Sequence, residues 1–311
     1  MRSLPNPPVI VIGELNVDIV ALGLGGPPVM GTEILADDVS LRLGSASAIF
    51  ASGIARLGHK VTFVSQVGKD LFGEFCLSEL IATGISTQNV SVQPRLRTGV
   101  TVAISSQKDR ALITYPGAIA TFGRDQLRMS MLKGHVHLHM TSYFLQKKLR
   151  PAFASIFREA RLAGLSTSFD PNSDPRHEWN RQIDGVLKQT DILFLNRVEA
   201  LELTRMQTVR SAMKKLGQSV PCAVIKLGPK GAVAIKSDEI VSVDGYKIDT
   251  LDTTGAGDSF AAGFISAYLR GNSLSECLRF GNACGALSTL QAGGTSGQPN
   301  ATQLKRFLQS H

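Results

Sequence analysis

The chain has 311 residues, 43% hydrophobic and 19% charged, enough apolar side chain to offset the entropy of ordering a sizeable core, which excludes a disordered chain and a small disulfide-stapled scaffold. Lysine and arginine outnumber aspartate and glutamate by 33 to 25, a formal charge of +8. The basic residues stand singly or in pairs such as Lys147-Lys148 and Lys214-Lys215, with no aromatic residues between them, which argues against a nucleic-acid surface and suits a small anionic ligand.

Cys76, Cys222, Cys277 and Cys284 lack the C-x-x-C spacing of zinc or redox sites and read as buried free thiols of a reducing compartment. The amino-terminal apolar run before Gly13 is too short for a signal sequence or a bilayer span, so the expectation is a cytoplasmic protein with no membrane partner.

Short β-branched runs alternate with helix-period segments, the pattern of parallel strands joined by crossover helices. The predicted strands are Val9–Ile12, Val61–Val67, Val136–Met140, Ser166–Asp170, Ile192–Leu195 and Ala223–Leu227. The predicted helices are Ala46–Leu57, closed by Gly58; a stretch after Asp70 that stops at Gly84; Pro151–Ala163; and Thr208–Leu216. Two regions break the rhythm. Residues 14–43 are rich in glycine and proline, and residues 96–116 read as a hairpin of Gly99–Ser105 and Arg110–Tyr115 turning at Gln107-Lys108-Asp109. Both are expected to leave the main sheet and form a small β lid on a single domain spanning residues 1–311.

The chemistry concentrates at Asp252-Thr253-Thr254-Gly255-Ala256-Gly257-Asp258-Ser259-Phe260, which runs directly into a helix closed by Gly271. A glycine-rich turn at a helix amino terminus presents unpaired N–H groups at the positive end of the macrodipole and attracts anions. Asp258 then has two readings. It is a helix-terminal charge, or a general base that takes a hydroxyl proton while the neighbouring amides hold charge on a transferred phosphoryl group.

Other features leave similar alternatives. Asn196 and Glu199 have the spacing of a capping box, and Gly228 and Gly231 the look of a hairpin turn. His135, His137 and His139 alternate on a strand, as zinc ligands or as a packed stripe near the cleft. Arg97, Arg110 and Tyr115 are substrate contacts or a solvated lid edge.

The string DTTGAGDSF resembles the carboxy-terminal signature of the ribokinase-like, or PfkB, carbohydrate kinases. Further likenesses follow in the family's order: Gly13 to Asp18, the run 44–58, Phe72-Gly73, Asp170-Pro171-Asn172, Asn196 to Glu199, the run 226–231, and Asn282.

The resemblance implies a three-layer α/β domain with a mostly parallel central sheet and a small β lid. It also implies an ATP-dependent kinase that transfers the γ-phosphoryl group to a hydroxyl of a sugar. On that footing Asp258 is the base, and the amides of Gly255, Ala256 and Gly257 are the anion hole. Glu199 holds hydrated Mg²⁺ and Asn196 helps to place the triphosphate. Gly228 and Gly231 lie beside the nucleotide, Lys226 reaches a phosphate and Asn282 lines the adenine pocket. Asp252 and Thr254 match a monovalent-cation site, for K⁺. Asp18 and Asn16, with Gly44 and Ser45, contact the acceptor.

The acceptor side departs from the family. Members carry two glycines and then an asparagine four residues beyond the second, where this chain has Gly44, Ser45 and Ile49. Losing an amide that holds a hydroxyl leaves the acceptor open, with a nucleoside kinase, or a sugar-binding regulator without turnover, as alternatives. A homodimer through the lid is a further expectation. Neither a G-x-G-x-x-G nor a G-x-x-x-x-G-K-[ST] string occurs, which argues against a dinucleotide oxidoreductase and a P-loop enzyme.

Overall fold

Val9–Ile12 (β1) buries every side chain, the condition of a strand lying inside a sheet covered on both faces. The computed structural model describes residues 6–106, 110–179 and 182–311. After β1 come β2 (Asn16–Leu24), β3 (Asp38–Leu43), β4 (Val61–Gly68), β5 (Ser86–Gln93), β6 (Gly99–Ser106) and β7 (Arg110–Tyr115). The second half adds β8 (His137–Thr141), β9 (Ser166–Asp170), β10 (Ile192–Asn196), β11 (Cys222–Lys226), β12 (Ala232–Lys236) and β13 (Glu239–Val243). The helices are α1 (Ala46–Arg56), α2 (Leu71–Ala82), α3 (Phe153–Leu162), α4 (Gln182–Leu187), α5 (Arg197–Thr204), α6 (Val209–Gly217), α7 (Ala256–Leu269), α8 (Leu274–Ser288) and α9 (Ala301–Ser310).

Nine strands form the main sheet in the order β13-β12-β11-β10-β9-β8-β1-β4-β5. From β11 to β5 every pairing is parallel, and the last two strands run antiparallel as hairpins. One core packs α1, α7 and α8 against one face through Phe50, Ile54, Phe194, Phe260 and Phe264. The other packs Phe153, Phe157, Phe169, Ile183 and Met213 against the opposite face. The layers are therefore helix, sheet and helix, as expected.

β2, β3, β6 and β7 form a second sheet in the order β3-β2-β6-β7, drawn from the two stretches that broke the alternation. The reversal at Gln107-Lys108-Asp109 lies outside the described residues.

The boundaries hold to within a residue or two because the stop signals are physical. Leu57 caps α1 and Gly58 follows at φ 95°, a left-handed conformation that glycine takes without Cβ strain. Asp70 caps α2 by accepting from the Gly73 amide at 2.8 Å. The run at Val136 begins its strand one residue later, at His137. The sequence expectations omit α4, α9 and the edge strand β5. α4 is only six residues long and β5 buries only Val90 fully, whereas α9 does carry an apolar face, with Leu304, Phe307 and Leu308 packed against α8 and Tyr246. Among the described residues no helix is long and apolar enough to cross a membrane.

The histidine stripe is a packing feature. His137 bonds Ser166 Oγ and Ser168 Oγ, both at 2.7 Å, and His139 Nδ1 bonds Ser168 Oγ at 2.6 Å. His139 also stacks on Phe50 with ring centroids 3.6 Å apart, and burial pushes both imidazoles below their ordinary range. His135 stands before the strand, bonded to Thr62 Oγ1 at 2.8 Å. Among the described residues no three His, Cys, Asp or Glu side chains are grouped to hold a metal.

Candidate active site

Parallel strands direct their carboxyl ends to one edge of the sheet, where ligands of such folds bind. β9 delivers Asp170 to that edge, β10 delivers Asn196 and β11 delivers Lys226. Lys226 Nζ bonds Asp170 Oδ2 at 2.5 Å. Burial would lower the Lys226 ammonium, but the carboxylates of Asp170, Glu199 and Asp258 outweigh it and hold it above its ordinary value.

Above this pair sits the turn into α7. Gly255 is the N-cap at φ 70° with no side-chain cap. A Cβ there would lie 2.8 Å from Gly294 Cα and 3.0 Å from Ile49 Cγ2, so only glycine fits. Ala256 N–H donates to the Thr253 carbonyl at 3.2 Å. The amides of Gly255, Gly257 and Asp258 have no protein acceptor among the described residues. Within the 255–258 turn expected to form the anion hole, the amide of Ala256 is therefore occupied, while those of Gly255, Gly257 and Asp258 are open. Lys226 Nζ lies 3.0 Å from where a Gly257 Cβ would stand, which places its charge directly under the turn. Burial first, then the charges of Asp170, Glu14 and Glu199, push the Asp258 carboxyl well above its ordinary range against the opposing pull of Lys226.

Asn196 and Glu199 form the capping box. Glu199 Oε2 accepts from Asn196 N–H at 2.7 Å, and Asn196 Oδ1 accepts from Glu199 N–H at 2.9 Å. Glu199 Oε1 also accepts from Ser173 Oγ at 3.1 Å. Burial and then the charge of Asp170 raise its carboxyl. Asp170 and Glu199 thus stand as two acidic groups at the same edge of the sheet.

A cavity of about 560 Å³ opens beside the turn. Lys226, Gly228, Gly231, Gly257 and Asn282 line it, together with the stretch 245–250. Gly228 and Gly231 have φ 61° and 88°, and a Cβ on Gly231 would meet the Val243 carbonyl at 2.1 Å. Asn282 Nδ2 donates to the Val243 and Asp244 carbonyls, both at 3.1 Å. The wall at 245–250 has no motif, and nothing in the sequence pointed to it.

Asp252 and Thr254 meet on the far side of the turn. Asp252 Oδ1 accepts from Thr254 N–H and Oγ1–H at 2.9 and 2.8 Å, and its Oδ2 accepts from Gly293 N–H at 2.8 Å.

The other side of the Gly255 turn faces α1 and the small sheet. Asn16 Nδ2 donates to Asp18 Oδ1 at 3.0 Å, and a Cβ on Gly44 would lie 2.1 Å from that oxygen. Ser45 caps α1 at φ 75°, ψ 120°, bonding the Ala48 amide at 3.0 Å and donating to the Glu14 carbonyl at 2.6 Å. Ile49, at the position where the resemblance leads one to expect an asparagine, is 4% exposed and packs on Gly255 and Gly294 rather than lining an open pocket.

Glu14 escaped sequence reasoning, because one acidic residue after an apolar strand carries no motif. It is 2% exposed, and its carboxylate accepts from Ser47 N–H at 3.1 Å, Ser47 Oγ at 2.8 Å, Thr141 Oγ1 at 3.1 Å and Ser142 Oγ at 2.8 Å. It ties the end of β1 to α1 and β8 behind the acceptor side. Of the expected edge residues, Tyr115 is 53% exposed, Arg97 lies between the two sheets before β6, and the side chain of Arg110 lies outside the described residues.

This arrangement agrees with comparison to known proteins. The model of the pfkB family carbohydrate kinases matches residues 7–301, and the chain belongs to that family. It is therefore a phosphotransferase with an alcohol group as acceptor. It is 29% identical over 253 residues to an uncharacterized sugar kinase of Archaeoglobus fulgidus, covering 80% of this chain and 99% of that one. It is 27% identical over 320 residues to fructokinase-1 of Zea mays, covering 97% of each. An E. coli protein described as a ribokinase II, solved in complex with ATP and Mg²⁺, superposes with a TM-score of 0.87 at 28% identity, over 98% of this chain and 100% of that chain.

Proposed function

We propose that this kinase transfers the γ-phosphoryl group of ATP to a hydroxyl, the primary alcohol of a sugar, with Asp258 as general base. The observation that carries the reading is the position of the 255–258 turn. It forms a wall of the 560 Å³ cavity through Ala256 and Gly257 and touches the acceptor side through Gly255 and Ile49. A base at a wall shared by two ligands is where a proton must be removed as phosphate arrives.

ATP fits the cavity. The lining offers glycines that let a nucleotide approach closely, the Asn282 side chain, and a cation, Lys226, at the turn end. Mg²⁺ would be held through water by Glu199, neutralising charge on the phosphates. Asn196, Gly228 and Gly231 would border the nucleotide, and the unpaired amides of Gly255, Gly257 and Asp258 would hold the charge on the transferred group. The E. coli relative, solved with ATP and Mg²⁺, supports the pairing of these ligands with this fold. Asp252 and Thr254 would hold a potassium ion near the turn.

Asp18, Asn16, Gly44 and Ser45 would orient the acceptor beneath the small sheet, which acts as a lid on one domain of residues 1–311. Closure keeps out the water that the same base would otherwise activate. The outer side of the lid exposes Val39, Leu41 and Ile113, a surface for a second copy of the chain. We place the protein in the cytoplasm, where ATP and reduced thiols coexist.

Incubating the protein with Mg·ATP and a panel of pentoses, hexoses, ketosugar acids and nucleosides, and reading ADP release above a no-acceptor blank, tests this function. Release with a sugar supports it, and release with nucleosides alone moves the reading to a nucleoside kinase. Tight sugar binding without release with any acceptor means a regulator.

A further inference from the structure

We propose that Arg42 recognises a negatively charged group, a carboxylate or a phosphate, on the acceptor, so that the preferred acceptor is an anionic sugar. This rests on the kinase reading and names the substrate class of its acceptor site.

The register of the small sheet sets the geometry. Arg42 of β3 lies opposite Asp18 of β2, Asp18 pairs with Thr101 of β6, and Thr101 pairs with Thr114 of β7. Residues opposite one another across strands share a face, so Arg42, Asp18, Thr101 and Thr114 form one polar row. The row faces inward: Asn16 Nδ2 stands 3.0 Å from Asp18 Oδ1 and 3.4 Å from Thr101 Oγ1, and Thr101 and Thr114 hydroxyls are 3.2 Å apart. The alternate residues Val39 and Leu41 point the other way, 62% and 38% exposed.

Arg42 reaches from this row toward the catalytic turn. A Cβ on Gly293 would meet Arg42 Cγ at 3.0 Å and Cδ at 3.1 Å, and the adjoining Gly294 packs on Gly255 and Ile49. The arginine stem therefore lies across the loop that backs the anion hole. Among the described residues Arg42 stands in no ion pair, and its Nε is buried without a partner. Ser40 Oγ, the next inward residue on β3, is likewise buried and unpartnered. A guanidinium keeps its charge at any physiological pH and matches carboxylate and phosphate oxygens through a planar fork. Ile49, meanwhile, offers no amide to a neutral hydroxyl. Arg42 therefore brings a cation to the acceptor side, where Ile49 offers no hydrogen bond, and this favours an acidic acceptor over a neutral one.

The test uses matched acceptors that keep a free primary alcohol: glucose with gluconate, and fructose with 2-ketogluconate and with fructose 6-phosphate. Initial rates of ADP release with Mg·ATP are measured for the wild type, Arg42→Gln, Arg42→Lys and, as a control, Arg210→Gln on the exposed side of α6. Thermal shifts are recorded with the same compounds, without nucleotide. The wild type should favour an acidic member over its neutral partner by about tenfold or more in kcat/KM, the scale of one charge-assisted contact in a built site. Arg42→Gln should lower that ratio at least tenfold, Arg42→Lys should recover part of it and Arg210→Gln should leave it unchanged. The sugar acid and the sugar phosphate arms separate the two anions.

A wild-type preference for neutral sugars, or equal losses for both members of a pair in Arg42→Gln, overturns the proposal while leaving the kinase reading intact. If nothing is turned over, the kinase reading fails by itself, and the thermal shifts decide the Arg42 assignment. Stabilisation by the anions that disappears in Arg42→Gln upholds it, and its absence overturns it.

Discussion

Lys226 Nζ lies 2.5 Å from Asp170 Oδ2, joining the carboxyl ends of β11 and β9 with the lysine side chain 13% and the aspartate 1% exposed. A pair this deeply buried holds together because each charge answers the other, and removing one leaves the other stranded. Lys226→Met would leave Asp170 beside Glu199 and Asp258 with no cation. The expected cost is about 3–5 kcal/mol, read from the urea midpoint. Lys226→Met with Asp170→Asn should recover most of that loss. Equal destabilisation by the single and double variants would mean the pair is not the source.

Asp258 should limit activity on the acid side. Its folded pKa is raised, by burial and then by neighbouring carboxylates, so the carboxylate form needed for catalysis is present only above that raised value. The acid limb of kcat/KM should therefore lie above the ordinary carboxylate range, and Glu14→Gln, which removes one of the opposing charges, should shift it downward. A limb near pH 4 in the wild type would show that Asp258 is not the titrating group.

The same raised pKa carries a stability sign. The folded state holds a proton on Asp258 more tightly than the unfolded chain, so this group's contribution is fully present below the unfolded pKa and is lost as pH rises through the folded one. Asp258→Asn should accordingly raise Tm at pH 8 more than at pH 5, with a gain on the order of 0.5–2 kcal/mol at the higher pH. Equal Tm shifts at the two pH values would contradict this.

Ser45 occupies a conformation at φ 75° that costs a non-glycine residue about 1–3 kcal/mol, offset by its bonds to Ala48 N–H and the Glu14 carbonyl. Ser45→Ala keeps the strain and loses the bonds, so it should destabilise by about 1–3 kcal/mol. Ser45→Gly loses the bonds and relieves the strain, so its denaturant midpoint should lie close to wild type. If alanine were tolerated better than glycine, the backbone would not be strained.

Much of this was readable in the residues because it is local. Buried parallel strands are continuous β-branched runs, Gly58 and Asp70 are punctuation, and the Gly255 turn is contiguous in sequence. What was not readable depends on long-range contact. Glu14 and Thr141 are 127 positions apart, yet they bond. Arg42 acquires its setting only through the register of the small sheet and the approach of Gly293. The histidine alternation was visible, but only the serines of β9 show that it serves packing. Asn196 and Glu199 satisfy the capping geometry and occupy the candidate site at once, so the bland and the functional readings of that pair are not alternatives.

Whether Asp258 removes the acceptor proton is tested by single-turnover phosphoryl transfer by Asp258→Asn at saturating Mg·ATP and acceptor, alongside the affinities of both. The rate should fall by about 10²–10⁴, with both dissociation constants changed by less than about threefold, as expected for a group acting in the transition state. An undiminished rate, or a loss explained wholly by weaker binding, would contradict this role of Asp258.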